Sequence, residues 1–217
     1  MAKAKKASEY DVHPGVAMMV DWIATLKAKT GRTLDGWLTE VKRNGPKDTP
    51  KRRDWLKSKH GFGTNAAWWI AERADPATRQ EMIDDDPEAY LRTAGIYVKE
   101  MYGGPKSALK PMHDALIKLG RGLGKDVRVC PCKTIVPLFR EHVFAQIKPS
   151  ARTRIDFGLA LTHYKGKLPA RVIDTGGLAK KDRITHRIEI SSLKDIDADV
   201  KKWMKIAYDL DVKRPKK

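Results

Sequence analysis

The sequence has 217 residues, of which 41% are hydrophobic and 33% are charged, and its formal net charge is +17. That hydrophobic fraction is enough for a folded core and excludes a chain that is disordered throughout. No uninterrupted apolar run approaches the roughly 18 residues that cross a bilayer, and the basic N-terminus lacks the apolar stretch of a secretory signal. We therefore expect a cytoplasmic protein with no membrane partner.

The positive charge is concentrated at the two ends of the chain. Residues 1–60 have a net charge of +7 and residues 61–105 of −4, whereas residues 106–217 carry 26 basic and 12 acidic side chains, a net charge of +14. Such an excess attracts polyanions, so DNA, RNA and acidic proteins are the partners to consider. Basic tails at residues 1–9 and 213–217 supply part of the excess, and tails of this kind also serve solubility alone.

Four amphipathic helices are predicted in the first third of the chain. Apolar residues recur there at three- and four-residue spacing, and Thr33 and Thr64 are suitable N-caps for the second and fourth helices. Another helical pattern follows an acidic run at residues 84–86. We predict a four-helix module at residues 10–74 and a helical linker at residues 75–104.

In the C-terminal half the spacing of apolar residues changes from the helical period to alternation. The clearest strand covers residues 153–161, and further strands are predicted at residues 143–147 and 186–190. Pro137 has no backbone N–H to donate, so we place its segment at a sheet edge or a bulge. With a last helix at about residues 196–210, the chain is predicted to be α+β, and its C-terminal module at residues 105–212 to hold an antiparallel sheet flanked by helices.

Two parts of the chain resemble uncharacterised bacterial domain families. TGRTLDGWLTEV at residues 30–41 and WLKSKHGFGTNAAWWIA at residues 55–71 resemble a small helical module. Residues 130–161 and 186–209 are similar to an α+β module that often follows it and is sometimes found behind nuclease-like domains. The resemblance implies a two-module architecture and supplies no catalytic residues.

The most specific local pattern is GFGTNAAWWI at residues 61–70, which is similar to a helix-hairpin-helix turn. Gly61 and Gly63 would let the backbone turn tightly and approach a ligand. Backbone amides at Thr64 and Asn65, in the first turn of the next helix, would then point towards a phosphate. The pattern predicts a phosphate contact, and the alternative is a tight turn between two packed helices.

Basic residues flank this turn on its N-terminal side. Lys57 and Lys59 are expected to add positive charge to the phosphate contact. The sequence also departs from the motif, because Lys59 stands where an apolar residue is usual and His60 stands where proline is common. These departures favour the structural alternative.

A second group of basic residues is predicted on the sheet. Arg154 and Arg187 alternate with the apolar residues of their strands, and Lys148 and Arg152 lie in or beside the neighbouring turn. We expect the four to share an open sheet face that contacts a phosphodiester chain or another acidic partner, although Asp156 and Glu189 reduce its charge. Phe144 is the best candidate for stacking on bases.

No catalytic motif is recognisable: the sequence lacks a P-loop, a G-x-S-x-G elbow and an H-E-x-x-H pair. The six histidines have no metal-ligand spacing, and Cys130 and Cys132 are too close together for an unstrained disulfide and too few to hold zinc. The six tryptophans fall mostly on apolar helix faces, where they are expected to be buried, and Trp69 is the one we expect to be exposed. We predict no catalytic residue, no metal and no other cofactor.

These observations favour a non-catalytic nucleic-acid-binding protein that contacts mainly phosphates. Two alternatives stay open. The first is an adaptor that uses its sheet face or its tryptophan-rich helices to hold a protein partner. The second is a small-molecule-binding protein, or an enzyme whose site is assembled from distant residues, which a concave apolar pocket in the C-terminal module would favour.

Overall fold

The computed structural model describes residues 8–76 and 86–212. Within them the chain forms two compact units, one between Pro14 and Tyr90 and the other made of the residues before Pro14 and those from Leu91 onward. We call them the helical unit and the sheet unit. Seven helices and a six-stranded antiparallel sheet in the described residues confirm the predicted α+β class.

Four helices form the helical unit, and they are α1 (Pro14–Thr30), α2 (Leu34–Asn44), α3 (Thr49–His60) and α4 (Thr64–Arg73). Its core contains Leu26, Trp37, Val41, Leu56 and Ile70, all nearly or fully buried. Their three- and four-residue spacing is the reason why these segments pack as helices. A further helix, α5 (Pro87–Met101), includes the boundary between the two units.

The caps of these helices agree with the sequence at one position and differ at another. Thr33 caps α2 as predicted, because its hydroxyl accepts a hydrogen bond from the Gly36 amide. The N-cap of α4 is Gly63 and not the predicted Thr64. Gly63 has extended backbone angles while its carbonyl already accepts the first helical hydrogen bond from Ala67, so Thr64 lies inside the helix.

The sheet unit is built on six antiparallel strands in the order β1-β2-β3-β4-β6-β5. They are β1 (Arg128–Val129), β2 (Val136–Phe139), β3 (Val143–Lys148), β4 (Ile155–Leu159), β5 (Ile173–Asp174) and β6 (His186–Ile190). Two helices, α6 (Lys110–Arg121) and α7 (Ala198–Leu210), complete the unit with 3-10 turns at Gly104–Leu109 and Leu193–Asp195.

One face of the sheet forms the core of this unit. Alternate residues such as Leu138, Ile147, Phe157 and Ile188 are completely buried there, and α7 packs on β3 and β4. The opposite face carries the polar residues of the same strands. This alternation is the period-2 pattern that the sequence shows.

Three local expectations are corrected or refined. β2 pairs with β1 on one side and β3 on the other, so Pro137 is not in an edge strand, and the irregularity lies beside it as a register shift between Leu138 and Phe139. Phe144 is fully buried with its ring edge-on to Tyr208, so it cannot stack on bases. Trp69 is half-buried and packs edge-on against Trp22.

No helix in the described ranges is long and apolar enough to cross a membrane. The acidic run at residues 84–86 falls almost entirely outside the described residues, as do most of the basic tails at residues 1–9 and 213–217. The boundaries predicted for the two modules and the linker stay predictions.

Candidate nucleic-acid interface

The glycine turn of the helical unit joins α3 to α4. Gly61 has a φ of 70°, in the left-handed region that favours glycine, and its amide donates to the Lys57 carbonyl at 3.2 Å. The next amide, that of Phe62, donates to the Leu56 carbonyl at 3.3 Å. Gly61 is therefore explained by the geometry of the helix end alone.

Gly63 is not explained in the same way. Its backbone angles, φ −65° and ψ 158°, are open to any residue, and a Cβ added there would meet no atom within 4 Å. No side chain caps the first turn of α4. The packing of the helical unit therefore does not require glycine at this position, and the exposed turn can be approached closely from solvent.

The other predicted residues of the turn are exposed beside Gly63. Lys57, Lys59, Thr64 and Asn65 all face solvent, and the Lys59 ammonium lies 5.5 Å from the centre of the Trp55 ring. Within residues 8–76 and 86–212 neither lysine has a carboxylate partner. The structure thus brings the predicted residues of the turn together on one surface.

The arginines predicted on the sheet lie together on its polar face, but they are neutralised there. Arg154 is 3.0 Å from a carboxylate oxygen of both Asp156 and Glu189, and Arg187 is 3.1 Å from each of the same two residues. The register aligns Asp156 with Glu189 across β4 and β6. Two positive and two negative charges cancel, so this network adds no excess positive charge to the face.

Part of the uncompensated positive charge of the sheet unit surrounds a hollow of about 620 Å³. Four cationic side chains line it, namely Lys106, Lys133, Lys148 and Arg152, and we call it the cation hollow. Lys148 and Arg152 were predicted from the sequence, whereas Lys106 and Lys133 were not. Among the described residues that line the cation hollow, Glu100 has the one carboxylate side chain.

Each of these cations is supplied by a different segment. Lys106 lies in the 3-10 turn and its ammonium donates to the Pro149 carbonyl at 2.6 Å, which ties that turn to the β3–β4 connection. Lys133 comes from the β1–β2 connection, Lys148 is the last residue of β3, and Arg152 follows in the β3–β4 connection. The fold therefore brings Lys106 and Lys133, which are distant in the sequence, to the same hollow as Lys148 and Arg152.

Electrostatically, the cation hollow is the opposite of the arginine network. None of its four cationic side chains forms an ion pair with any carboxylate in the part of the chain that the structure describes. Nearby unpaired charges of one sign in a concave surface reinforce one another and attract anions. The arrangement can bind a phosphate without first breaking an internal salt bridge.

A second hollow, of about 400 Å³, extends along the polar face of the sheet and shares Lys148 with the first. It lies over Gly158, where an added Cβ would approach the Ile184 side chain to 2.6 Å and the Gln146 side chain to 2.8 Å. Glycine is required there because the β5–β6 connection passes close above the sheet. We call this second cavity the sheet hollow.

The residues considered for catalysis do not form a reactive centre. Burial, reinforced by the negative charge of Asp11, raises the pKa of Cys130 to about 12, and burial also raises the pKa of Cys132. Both thiols are therefore protonated at neutral pH and are poor nucleophiles. No three His, Cys, Asp or Glu side chains in the described ranges are placed to hold a metal ion.

Two regions of the sequence match models of known protein families. Residues 98–211 match the domain of unknown function DUF5655, and the chain belongs to that family. Residues 20–75 match a second domain of unknown function, DUF4287, which confirms the two-module resemblance. No curated protein and no solved structure matches the chain.

Proposed function

We propose that this protein binds nucleic acid without catalysis, mainly through the phosphate backbone. The proposal rests on the cation hollow, which is lined by Lys106, Lys133, Lys148 and Arg152, none of which has an ion-pair partner among the described residues. Phosphates are the abundant anions of nucleic acids, and contacts to them supply most of the sequence-independent affinity. The exposed glycine turn of the helical unit is a second contact of the same kind.

The lining of the two hollows supports contact with phosphates and not with base faces. No aromatic side chain is among the described residues that line either hollow. Phe144, which the sequence suggested for this role, is fully buried. Single-strand proteins of the aromatic-platform type depend on such stacking, so the structure favours binding that tolerates any base sequence.

Removing the unpaired cations should weaken DNA binding and its dependence on salt. The triple variant Lys133→Ala, Lys148→Ala, Arg152→Ala is expected to reduce the magnitude of the negative slope of log K against log salt by roughly 3, about one unit for each cation removed. Fluorescence anisotropy with labelled duplex DNA, single-stranded DNA and RNA over a salt series measures that slope.

A charge-matched control separates a site from general attraction. Lys118, Lys194 and Lys201 are exposed in the same unit and lie outside the cation hollow. Their triple alanine variant has the same net charge as the test variant. If both variants lose the same affinity, the charge acts at long range only, and binding through the cation hollow is disproved.

The glycine turn is tested in the same assay. Lys57→Ala with Lys59→Ala should reduce the salt slope by about 2, because two phosphate contacts are lost. Lys27→Ala with Lys29→Ala, two exposed lysines of α1, gives an equal change of charge in the same unit and should alter the slope little. Equal salt slopes for the two variants would show that the glycine turn does not contact the nucleic acid.

A further inference from the structure

The cation hollow is concave, and its volume limits how much of a nucleic acid can enter it. At about 620 Å³ it lies within the range of roughly 300–1,000 Å³ that is typical of sites for small ligands. Specific contact with a duplex instead covers an extended area of about 1,000–2,500 Å². A hollow of this size accommodates one nucleotide unit better than it follows a length of double helix.

The charge of the hollow indicates which phosphate it prefers. A phosphodiester inside a strand carries one negative charge, whereas a phosphate monoester carries about −1.5 to −2 at pH 7 and three strong acceptor oxygens. The hollow presents three cationic side chains, Lys133, Lys148 and Arg152, that form neither an ion pair nor a hydrogen bond with another side chain in the part of the chain that the structure describes. Lys106 is a fourth, held by the Pro149 carbonyl. Several cations that line one hollow are matched by a doubly charged group.

The remaining walls suit the nucleoside that carries such a phosphate. Met101, Pro105 and Pro149 give apolar surface, and Glu100 provides an acceptor for a sugar hydroxyl or a base amino group. Small-ligand sites combine apolar walls with a few polar groups in this way. The lining therefore contains groups for both halves of a nucleotide.

We infer that the cation hollow binds a phosphate monoester, either at the end of a nucleic-acid strand or on a free nucleotide. The part of the inference that concerns strand ends rests on the proposed function and narrows it from phosphates in general to terminal phosphates. Lys133, Lys148 and Arg152 contact the phosphate, while Lys106 keeps the 3-10 turn and the β3–β4 connection in place around it.

The experiment compares nucleic acids that differ only at their ends. A short duplex is prepared with phosphates at its ends, with hydroxyls at its ends, and in a covalently closed form in which a hairpin loop joins the two strands at each end. The wild-type protein should bind the phosphorylated form about tenfold more tightly than the other two, a difference of about 1.4 kcal/mol, because the monoester brings an additional negative charge to the cations of the hollow. AMP should compete for this site, and adenosine should not.

Variants connect the preference to the hollow. Lys133→Ala with Lys148→Ala should remove the difference between phosphorylated and hydroxyl ends, whereas Lys194→Ala with Lys201→Ala should keep it. If the wild-type protein binds all three nucleic acids equally and AMP does not compete, the inference is overturned while the proposed function stands. If AMP binds but no nucleic acid does, the proposed function is wrong, and the cation hollow binds a free nucleotide instead.

Discussion

Asp211→Ala should destabilise the sheet unit by about 3 kcal/mol. Asp211 follows α7, is only 2% exposed, and accepts hydrogen bonds from the His142 amide at 2.8 Å and from Arg183 at 2.5 Å. The His142 ring nitrogen Nδ1 lies 3.0 Å from the same carboxylate. Asp211→Ala removes hydrogen bonds to a charged acceptor, which contribute about 1.5–3 kcal/mol each, and the 42% exposure of the Arg183 side chain lets water replace part of what that residue loses.

Hydrogen exchange of β3 and β4 amides, followed by mass spectrometry, measures this loss in the sheet unit itself. Asp209→Ala is the matched control, because Asp209 lies at the end of the same helix and pairs with Lys205 on an exposed surface. That variant should change the free energy of opening by less than about 0.5 kcal/mol. Equal protection in the two variants would show that the buried cluster does not stabilise the sheet.

The same contacts hold the β5–β6 connection over the sheet hollow. Arg183 also donates from Nε to the Val143 carbonyl at 3.0 Å, and the next residue, Ile184, lies above Gly158. Asp211→Ala removes one of the two anchors of Arg183. We therefore expect the greatest local increase in hydrogen exchange between residues 175 and 185.

The alternation of residues along β4 and β6 was enough to predict their common polar face. It places Arg154 and Arg187 on one side of the sheet, and the same alternation places Asp156 and Glu189 with them. Alternation thus places all four charged residues on the polar face, since side chains two residues apart on a strand share a face. What alternation does not give is the pairing of strands, which decides which charges meet.

The cation hollow could be predicted only in part. Lys148 and Arg152 are neighbours in the sequence, but Lys106 and Lys133 come from a 3-10 turn and a strand connection that no periodic pattern relates to them. Asp211 is a similar case, because its partners His142 and Arg183 are 69 and 28 residues away. Contacts between irregular segments depend on the tertiary fold, and periodicity does not specify it.

The stability of the sheet unit should fall below pH 6.5 because of one buried histidine. His113 on α6 is fully buried, its ring centre is 4.6 Å from that of Tyr102, and neither ring nitrogen has a hydrogen-bond partner among the described residues. Burial lowers the pKa of His113 to about 4, with Lys110 adding to this effect and Asp114 opposing it. The folded protein therefore keeps this imidazole neutral where the unfolded chain protonates it.

The direction of this change in stability with pH follows from how many protons each state binds. Between pH 6.5 and about 4 the unfolded state binds more protons than the folded state at this residue, so stability decreases as the pH falls. A pKa lowered from 6.5 to about 4 corresponds to a loss of about 3 kcal/mol, complete below pH 4 and absent above pH 6.5. His113→Phe keeps an aromatic ring of similar size and removes the titration.

Urea unfolding of the wild-type protein and of His113→Phe from pH 7 to pH 4 checks this expectation. The wild-type protein should lose about 3 kcal/mol more than the variant, since all other titrating groups, including His13 and His60 with their lowered pKa values, are common to both proteins. An NMR titration of the His113 ring gives its pKa directly. Parallel stability curves, or a ring that titrates near pH 6.5, would show that this histidine is hydrated in the folded protein.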